Sequence, residues 1–204
     1  MKTLYFVRHG NADYMKDGLT QRGIAQVERF SSKLEGLLPN NQNLVLVTSP
    51  SGRAIETAQI LIPMLERKTG GKVYFERENA LYQTRSMGSD KIILENGRQN
   101  LFLLDKYSKY ETGVFTAHDK IIVGTCIAIG EFLEIKTPTF LRAEQPIDES
   151  LVSWAIKEFG YTREKAEEQV RKYAPSPLIE FPEMPEASAI CIDIEQKQIN
   201  RILI

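Results

Sequence analysis

Cysteine and histidine are both scarce in this sequence, with two of each in 204 residues. Cys126 and Cys191 lie within apolar segments and lack metal-ligand spacing. They read as reduced core residues of a cytosolic protein, in preference to a structural disulfide. No apolar run approaches the roughly 18 residues that a membrane span needs. Met1-Lys2-Thr3 leads into only four apolar residues, too short for a signal-peptide core. A net charge of −1 gives no electrostatic reason to expect nucleic acid or an acidic membrane surface as partner. Internal repeats and low-complexity tracts are absent. These exclusions leave a cytoplasmic chain, 42% hydrophobic and 26% charged, long enough for a substantial core. The oligomeric state is left open.

The most informative stretch is Leu4 to Ala12, LYFVRHGNA. Its four apolar, β-prone residues predict a strand buried in a parallel sheet, ended by an Arg-His-Gly turn. Ligands of open α/β sheets bind at such carboxyl ends. Arg8 offers a planar fork for an oxyanion, and His9 is a nitrogen nucleophile that is largely neutral at pH 7. Gly10 would let a phosphate approach the backbone closely. On three residues alone, an ordinary strand-end turn is the better reading.

The rest of the chain supplies the context. Asn11 to Gly18 reads as a loop with Asp17-Gly18 as its turn signal. Thr20 predicts an N-cap for a helix over Gln21 to Leu37, with Ile24, Val27, Phe30, Leu34 and Leu37 along one face. Asn43 to Thr48 is a second apolar strand, followed by Ser49 to Arg53 and a helix to about Lys68. Ala54, Thr57, Ala58, Leu61 and Leu65 line the inner face of that helix. Lys72 to Glu76 is a third, shorter strand, and Glu78 to Gly88 is irregular. A helical region over Ser89 to Lys109 is expected to break near Asn96-Gly97. Gly113 to Ala117 is a fourth strand running into His118-Asp119, and Ile121 to Leu133 is apolar enough for a buried helix.

This alternation predicts a three-layer α/β/α fold with a mostly parallel central sheet. Right-handed crossovers then bring Arg8-His9, Arg53 and His118-Asp119 to one rim. The alternation breaks over 138–185, where Asp148 and Thr162 are candidate caps of two helices and Pro175 and Pro177 stop the second. That segment is expected to be a helical insertion, a lid or a structural cap, within a single domain over 1–204. The run Arg163 to Glu168 reads as a solvated face. Ala187 to Ile194 and Gln198 to Ile204 predict a C-terminal edge hairpin.

Four motifs, LYFVRHGNA, LTQRGIAQ (Leu19 to Gln26), VTSPSGRAIETA (Val47 to Ala58) and FTAHDKII (Phe115 to Ile122), together resemble the histidine phosphatase superfamily, also called phosphoglycerate-mutase-like. The only two histidines occupy its catalytic positions. The first motif is nearest to the small bacterial phosphohistidine phosphatases. The resemblance implies a phosphatase acting on a phosphomonoester or a phosphorylated protein, without metal or cofactor, through a phosphohistidine on His9. Arg8 and Arg53 would clamp the phosphoryl oxygens, and His118 would donate to the transferring group, becoming cationic beside a bound dianion. Asn11 would bind the same phosphate or stabilise the turn. Ser49 and Glu56 would shape the turn and hold Arg53. The family's proton donor follows the third strand, where this chain has Gln83, which cannot donate an acidic proton. Glu78 takes the role under a shifted alignment. Asp119 takes it by likeness to the acid-phosphatase and phytase branch, although that branch's following arginine and proline are missing. The phosphohistidine phosphatases manage without a dedicated acid. The partner would be a small phosphorylated metabolite or a phosphoprotein. The alternatives are a phosphoglycerate-mutase-type phosphotransferase and a phosphate-binding module without turnover.

Overall fold

The computed structural model describes residues 1–82, 90–138, 141, 149–173 and 184–203. Gln83, Asp148, Pro175 and Pro177, to which the sequence assigns roles, lie outside these residues.

Six strands form one mixed sheet: β1 (Thr3–Arg8), β4 (Leu44–Thr48), β5 (Tyr74–Arg77), β6 (Thr112–Ala117), β7 (Ala189–Asp193) and β8 (Gln198–Ile202), in the order β5-β4-β6-β1-β7-β8. The first four strands of that order run parallel, and β7 and β8 add an antiparallel hairpin at the edge beyond β1. Successive side chains of a strand point to opposite faces. Tyr5, Val7, Leu44, Leu46 and Val114 accordingly share one core with α1 (Gln21–Leu37) and α2 (Gly52–Thr69). The alternate residues Phe6 and Phe115 stack on the other face, where Tyr107 meets Phe115 edge-on. That side carries α3 (Asp90–Gln99), α4 (Phe102–Lys106) and α5 (Asp119–Phe132), the last buried continuously from Ile121 to Gly130. The fold is thus a three-layer α/β/α arrangement around a mostly parallel sheet.

Helix α1 starts where Thr20 predicts it, the Thr20 hydroxyl accepting from the Gly23 N–H. Its inner face differs from the periodic one at the last turn: Leu37 is exposed and Leu38 is buried. The residue before a proline avoids helical backbone, so Leu38, ahead of Pro39, turns extended and carries its side chain inward.

The expected break at Asn96-Gly97 is not there. Helix α3 runs through both residues and ends at Gln99; the side-chain amide of the next residue, Asn100, donates to Thr125 Oγ1 at 2.8 Å. A Cβ on Gly97 would stand 2.1 Å from Gly124 O, and one on Gly124 would stand 2.4 Å from Ile93 O. These glycines let two helix backbones touch; they do not interrupt one.

The loop predicted over Asn11 to Gly18 instead contains a two-stranded ribbon, β2 (Ala12–Asp13) against β3 (Gly18–Leu19), with Asp17 at φ 50° in its turn. Among the described residues no helix is long and apolar enough to cross a membrane.

Packing divides the chain into two units, Met1–Pro138 with Glu183–Ile204, and Thr139–Pro182. The second contains α6 (Glu149–Phe159) and α7 (Arg163–Tyr173), joined through Val152, Ala155 and Ala166 with Tyr161 and Val170 against them. The charged run beginning at Arg163 is in part an ion-pair clasp, because Arg163 reaches Glu149 at 2.7 Å and Glu167 at 2.8 Å.

Candidate active site

The carboxyl ends of β4, β6 and β1, neighbours in the sheet, bring Arg8-His9, Ser49 to Arg53 and His118-Asp119 together. Backbone bonds carry the ladder one step past the strands: His9 N–H donates to Ala117 O at 3.2 Å and Ser49 N–H to Thr116 O at 2.9 Å. The glycine after His9 does something other than admit a ligand. A Cβ on Gly10 would stand 2.5 Å from Gly23 O, and one on Gly23 would stand 2.0 Å from Asn11 O. The two glycines therefore let the start of α1 lie against the turn, which accounts for the glycine in LTQRG as well.

The two buried histidines flank the Arg53 guanidinium. His9 Nδ1 lies 2.8 Å from Gly10 O, and its Nε2 lies 3.2 Å from Arg53 Nε. A carbonyl only accepts and a guanidinium only donates. The proton of neutral His9 is thereby fixed on Nδ1 and the lone pair on Nε2, facing Arg53. The same logic orients His118. Arg53 Nη2 donates to its Nδ1 at 3.3 Å, so Nε2 carries the proton toward the Ser49 and Ser51 hydroxyls, each 3.2 Å away. The imidazole rings stand 5.1 Å apart, edge to face.

Arg53 is held from its far side by Asp17, one oxygen accepting from Nη1 and the other from the Gly52 N–H at 2.8 Å. Asp17 so caps α2 from outside, where the regular cap residue Ser51 makes no side-chain cap bond. The expectation that Glu56 holds the arginine is corrected: Glu56 instead accepts from the Leu19 N–H at 2.6 Å. Arg8 donates from Nη1 to Met184 O and lies 4.0 Å from Asp119. Its buried Nε finds no hydrogen-bond partner among the described residues.

Asn11 is engaged with protein groups, its amide donating to Glu186 at 2.9 Å and its oxygen accepting from Thr20 Oγ1 at 2.7 Å. Glu186 also accepts from the Gln26 amide at 3.2 Å. Glu78 stands apart from the histidines in its bonding: one oxygen pairs with Lys106 at 2.8 Å and the other accepts from Ala80 N–H at 3.3 Å. Asp119 opens α5 and accepts from the Lys120 N–H at 2.8 Å. Sequence reasoning missed Asp17 as a partner of Arg53, Ser51 as a partner of His118, and Glu186. Asp17 was legible only as a turn former, and Glu186 follows a proline-rich stretch with no periodicity to read. Among the described residues, no group of three His, Cys, Asp or Glu is placed to hold a metal ion.

Burial, reinforced by the Arg53 and Arg8 charges, pushes His9 down to about 4, against the opposing bond to Gly10 O and the Asp119 carboxylate. Burial, then the His9, Arg53 and Arg8 charges, push His118 down to about 3. Unfolded histidine takes up a proton near pH ~6.5, so between that pH and the lowered values the unfolded state binds more protons than the native one. Stability is then complete above pH ~6.5 and falls with acidification at up to about 1.4 kcal/mol per pH unit for each histidine. Urea denaturation at pH 7 and pH 5 should show a loss of roughly 2 kcal/mol per histidine. His118→Asn should remove about half of it, and equal stability at the two pH values would contradict the neutral, buried assignment.

Residues 4–70 match the family model of the histidine phosphatase superfamily, branch 1. No curated protein sequence matches the chain significantly. Solved structures align over nearly the whole length. Mycobacterial glucosyl-3-phosphoglycerate phosphatase is 15% identical with a TM-score of 0.54, covering 100% of this chain and 98% of that one. A phosphoserine phosphatase of Entamoeba histolytica, bound to 3-phosphoglyceric acid, is 14% identical with a TM-score of 0.55, covering 98% and 95%. A protein of Agrobacterium tumefaciens assigned as phosphohistidine phosphatase SixA is 14% identical with a TM-score of 0.51, covering 99% and 95%. At these identities the structures show a shared fold. Together with the family model, they establish that the chain resembles the histidine phosphatase superfamily.

Proposed function

We propose that the chain is a phosphatase that hydrolyses a phosphomonoester or a phosphorylated protein through a phosphohistidine on His9. The observation that carries the proposal is the orientation of His9, with its proton held by Gly10 O and its Nε2 lone pair turned to an arginine donor. Arg53 covers that lone pair. A phosphoryl oxygen is the better acceptor for a guanidinium because the bond is charge-assisted on both sides. Substrate then draws Arg53 away and uncovers the nucleophile as it binds.

His9 Nε2 attacks phosphorus in line, and the bond to the leaving oxygen breaks on the opposite side. Arg8 and Arg53 balance the charge on the non-bridging oxygens. Water then attacks the phosphohistidine, and inorganic phosphate leaves with His9 restored. His118, protonated beside the bound dianion, donates to a phosphoryl oxygen. These roles need no metal, since two guanidiniums supply the positive charge. In this reading residues 1–204 form one cytoplasmic catalytic domain, with 138–185 inserted in it.

Radioactive phosphate from a labelled substrate is expected to remain on the denatured protein, stable to base and labile to acid. Label that resists acid, or no label alongside steady turnover, would overturn the covalent mechanism.

Asp119 is the proposed proton donor, ahead of Glu78, because it is fixed beside His118 and 4.0 Å from Arg8, whereas Glu78 is engaged with Lys106. Asp119→Asn keeps a side-chain oxygen to accept from the Lys120 N–H at the start of α5, so a purely structural role leaves turnover unchanged. A donor role slows alkyl phosphates by about 10²-fold or more while sparing p-nitrophenyl phosphate, whose leaving group needs no proton. Unchanged alkyl phosphate turnover in Asp119→Asn, with loss in Glu78→Gln, would reverse the assignment.

A further inference from the structure

Two tyrosines that the proposed chemistry does not use lie against the groups that would bind the phosphoryl oxygens. The Tyr14 ring centre is 5.2 Å from the Arg53 guanidinium carbon. The Tyr82 ring stands edge-on to the His118 ring at 6.3 Å with an interplanar angle of 85°. Tyr14 lies in the β2–β3 turn, in the segment after β1, and Tyr82 in the segment after β5; β1 and β5 lie on either side of the β4–β6 pair. Both are about half exposed, 58% and 46%. Exposed aromatic faces beside a polar site are apolar surface that a bound group can cover.

The charges around them point the same way. Arg8 and Arg53 are both needed to balance one phosphoryl dianion. Near Tyr14, Lys16 is paired with Asp13 at 4.0 Å and its side chain is 84% exposed. Among the described residues, the charged side chains paired with the two arginines are the carboxylates Asp17 and Asp119. A second phosphate or a carboxylate on the substrate would meet like charge there, whereas a neutral flat group would meet two aromatic rings.

On these grounds we infer that Tyr14 and Tyr82 select substrates whose leaving group is flat and aromatic, an aryl phosphate. This inference rests on the phosphatase reading of the same site. Phosphonates isolate it from leaving-group reactivity, since they carry the phosphoryl charge and cannot be hydrolysed. Phenylphosphonate is expected to bind about tenfold more tightly than methylphosphonate, the order of one or two aromatic contacts. The ratio should fall toward one in the Tyr14→Ala, Tyr82→Ala double variant and persist in the corresponding double phenylalanine variant, which keeps both rings. Equal affinity in the wild type, or a ratio unchanged in the alanine variant, overturns the inference. If His9 is labelled by substrate in that same protein, the phosphatase reading survives its loss. If neither phosphonate binds and no label is trapped, both fail together.

Discussion

His9→Ala is expected to lose turnover by at least about 10⁴-fold, roughly 5.5 kcal/mol in barrier terms, while the protein still folds. The backbone at this position is secured without the side chain: the His9 N–H donates to Ala117 O, and its carbonyl accepts from the Ala187 N–H at 3.2 Å. What disappears is the nitrogen that forms the covalent bond, and no neighbouring group can replace it. His118 has its Nδ1 lone pair on Arg53 and its Nε2 proton on two serines. Arg8 and Arg53 remain to bind phosphate, so the variant should still take up the oxyanion. Kinetics with p-nitrophenyl phosphate, phosphate binding and circular dichroism together check this. Residual activity within about tenfold of wild type, a loss of only ~1.4 kcal/mol, would rule out His9 as nucleophile. Removing a buried histidine also removes one acid-labile group, so the variant should lose less stability than wild type between pH 7 and 5.

Much of this fold was legible because local signals and burial agree. The apolar run of β1, the Thr20 cap and the Ala54 to Leu65 stripe each state their role within a few residues. The rim was legible for a different reason: right-handed crossovers place every strand end of a parallel sheet on one side, so topology alone collects Arg8, Arg53 and His118. What stayed hidden depends on contacts between segments distant in sequence. Gly97 reads locally as a helix breaker, and only the opposing Gly124 shows why a bare backbone is needed there. Gly10 reads as a phosphate gate until the start of α1 fills the same space. Asp17, a turn residue by every local sign, is the carboxylate that grips Arg53 from 36 positions away. Glu186 joins Asn11 and Gln26 across 175 and 160 positions. No periodicity carries such information.

Arg53 is where these long-range contacts converge, and its replacement tests them together. Its guanidinium donates from Nε to His9, from Nη2 to His118 and from Nη1 to Asp17, three directions fixed by one planar group. Arg53→Lys keeps the charge and loses the fork, because an ammonium offers its donors from a single point. One lysine cannot span both imidazoles and Asp17. Its kcat/KM is expected to fall by about 10² to 10³, the usual loss for one oxyanion donor. Arg53→Met removes the charge as well and should fall further. The two variants also separate in their acid limbs. Arg53 is one of the charges that hold His9 down at about 4. Without it, the protonation that disables the nucleophile moves upward in Arg53→Met and stays nearer the wild-type position in Arg53→Lys. Asp17→Ala gives the complementary measurement, since it leaves the fork intact but unanchored: KM should rise more than kcat falls, and Asp17→Glu should restore part of the difference. If Arg53→Lys instead retains wild-type kcat/KM with an unshifted pH profile, the planar bridge between the two histidines has no part in turnover, and charge alone accounts for the arginine.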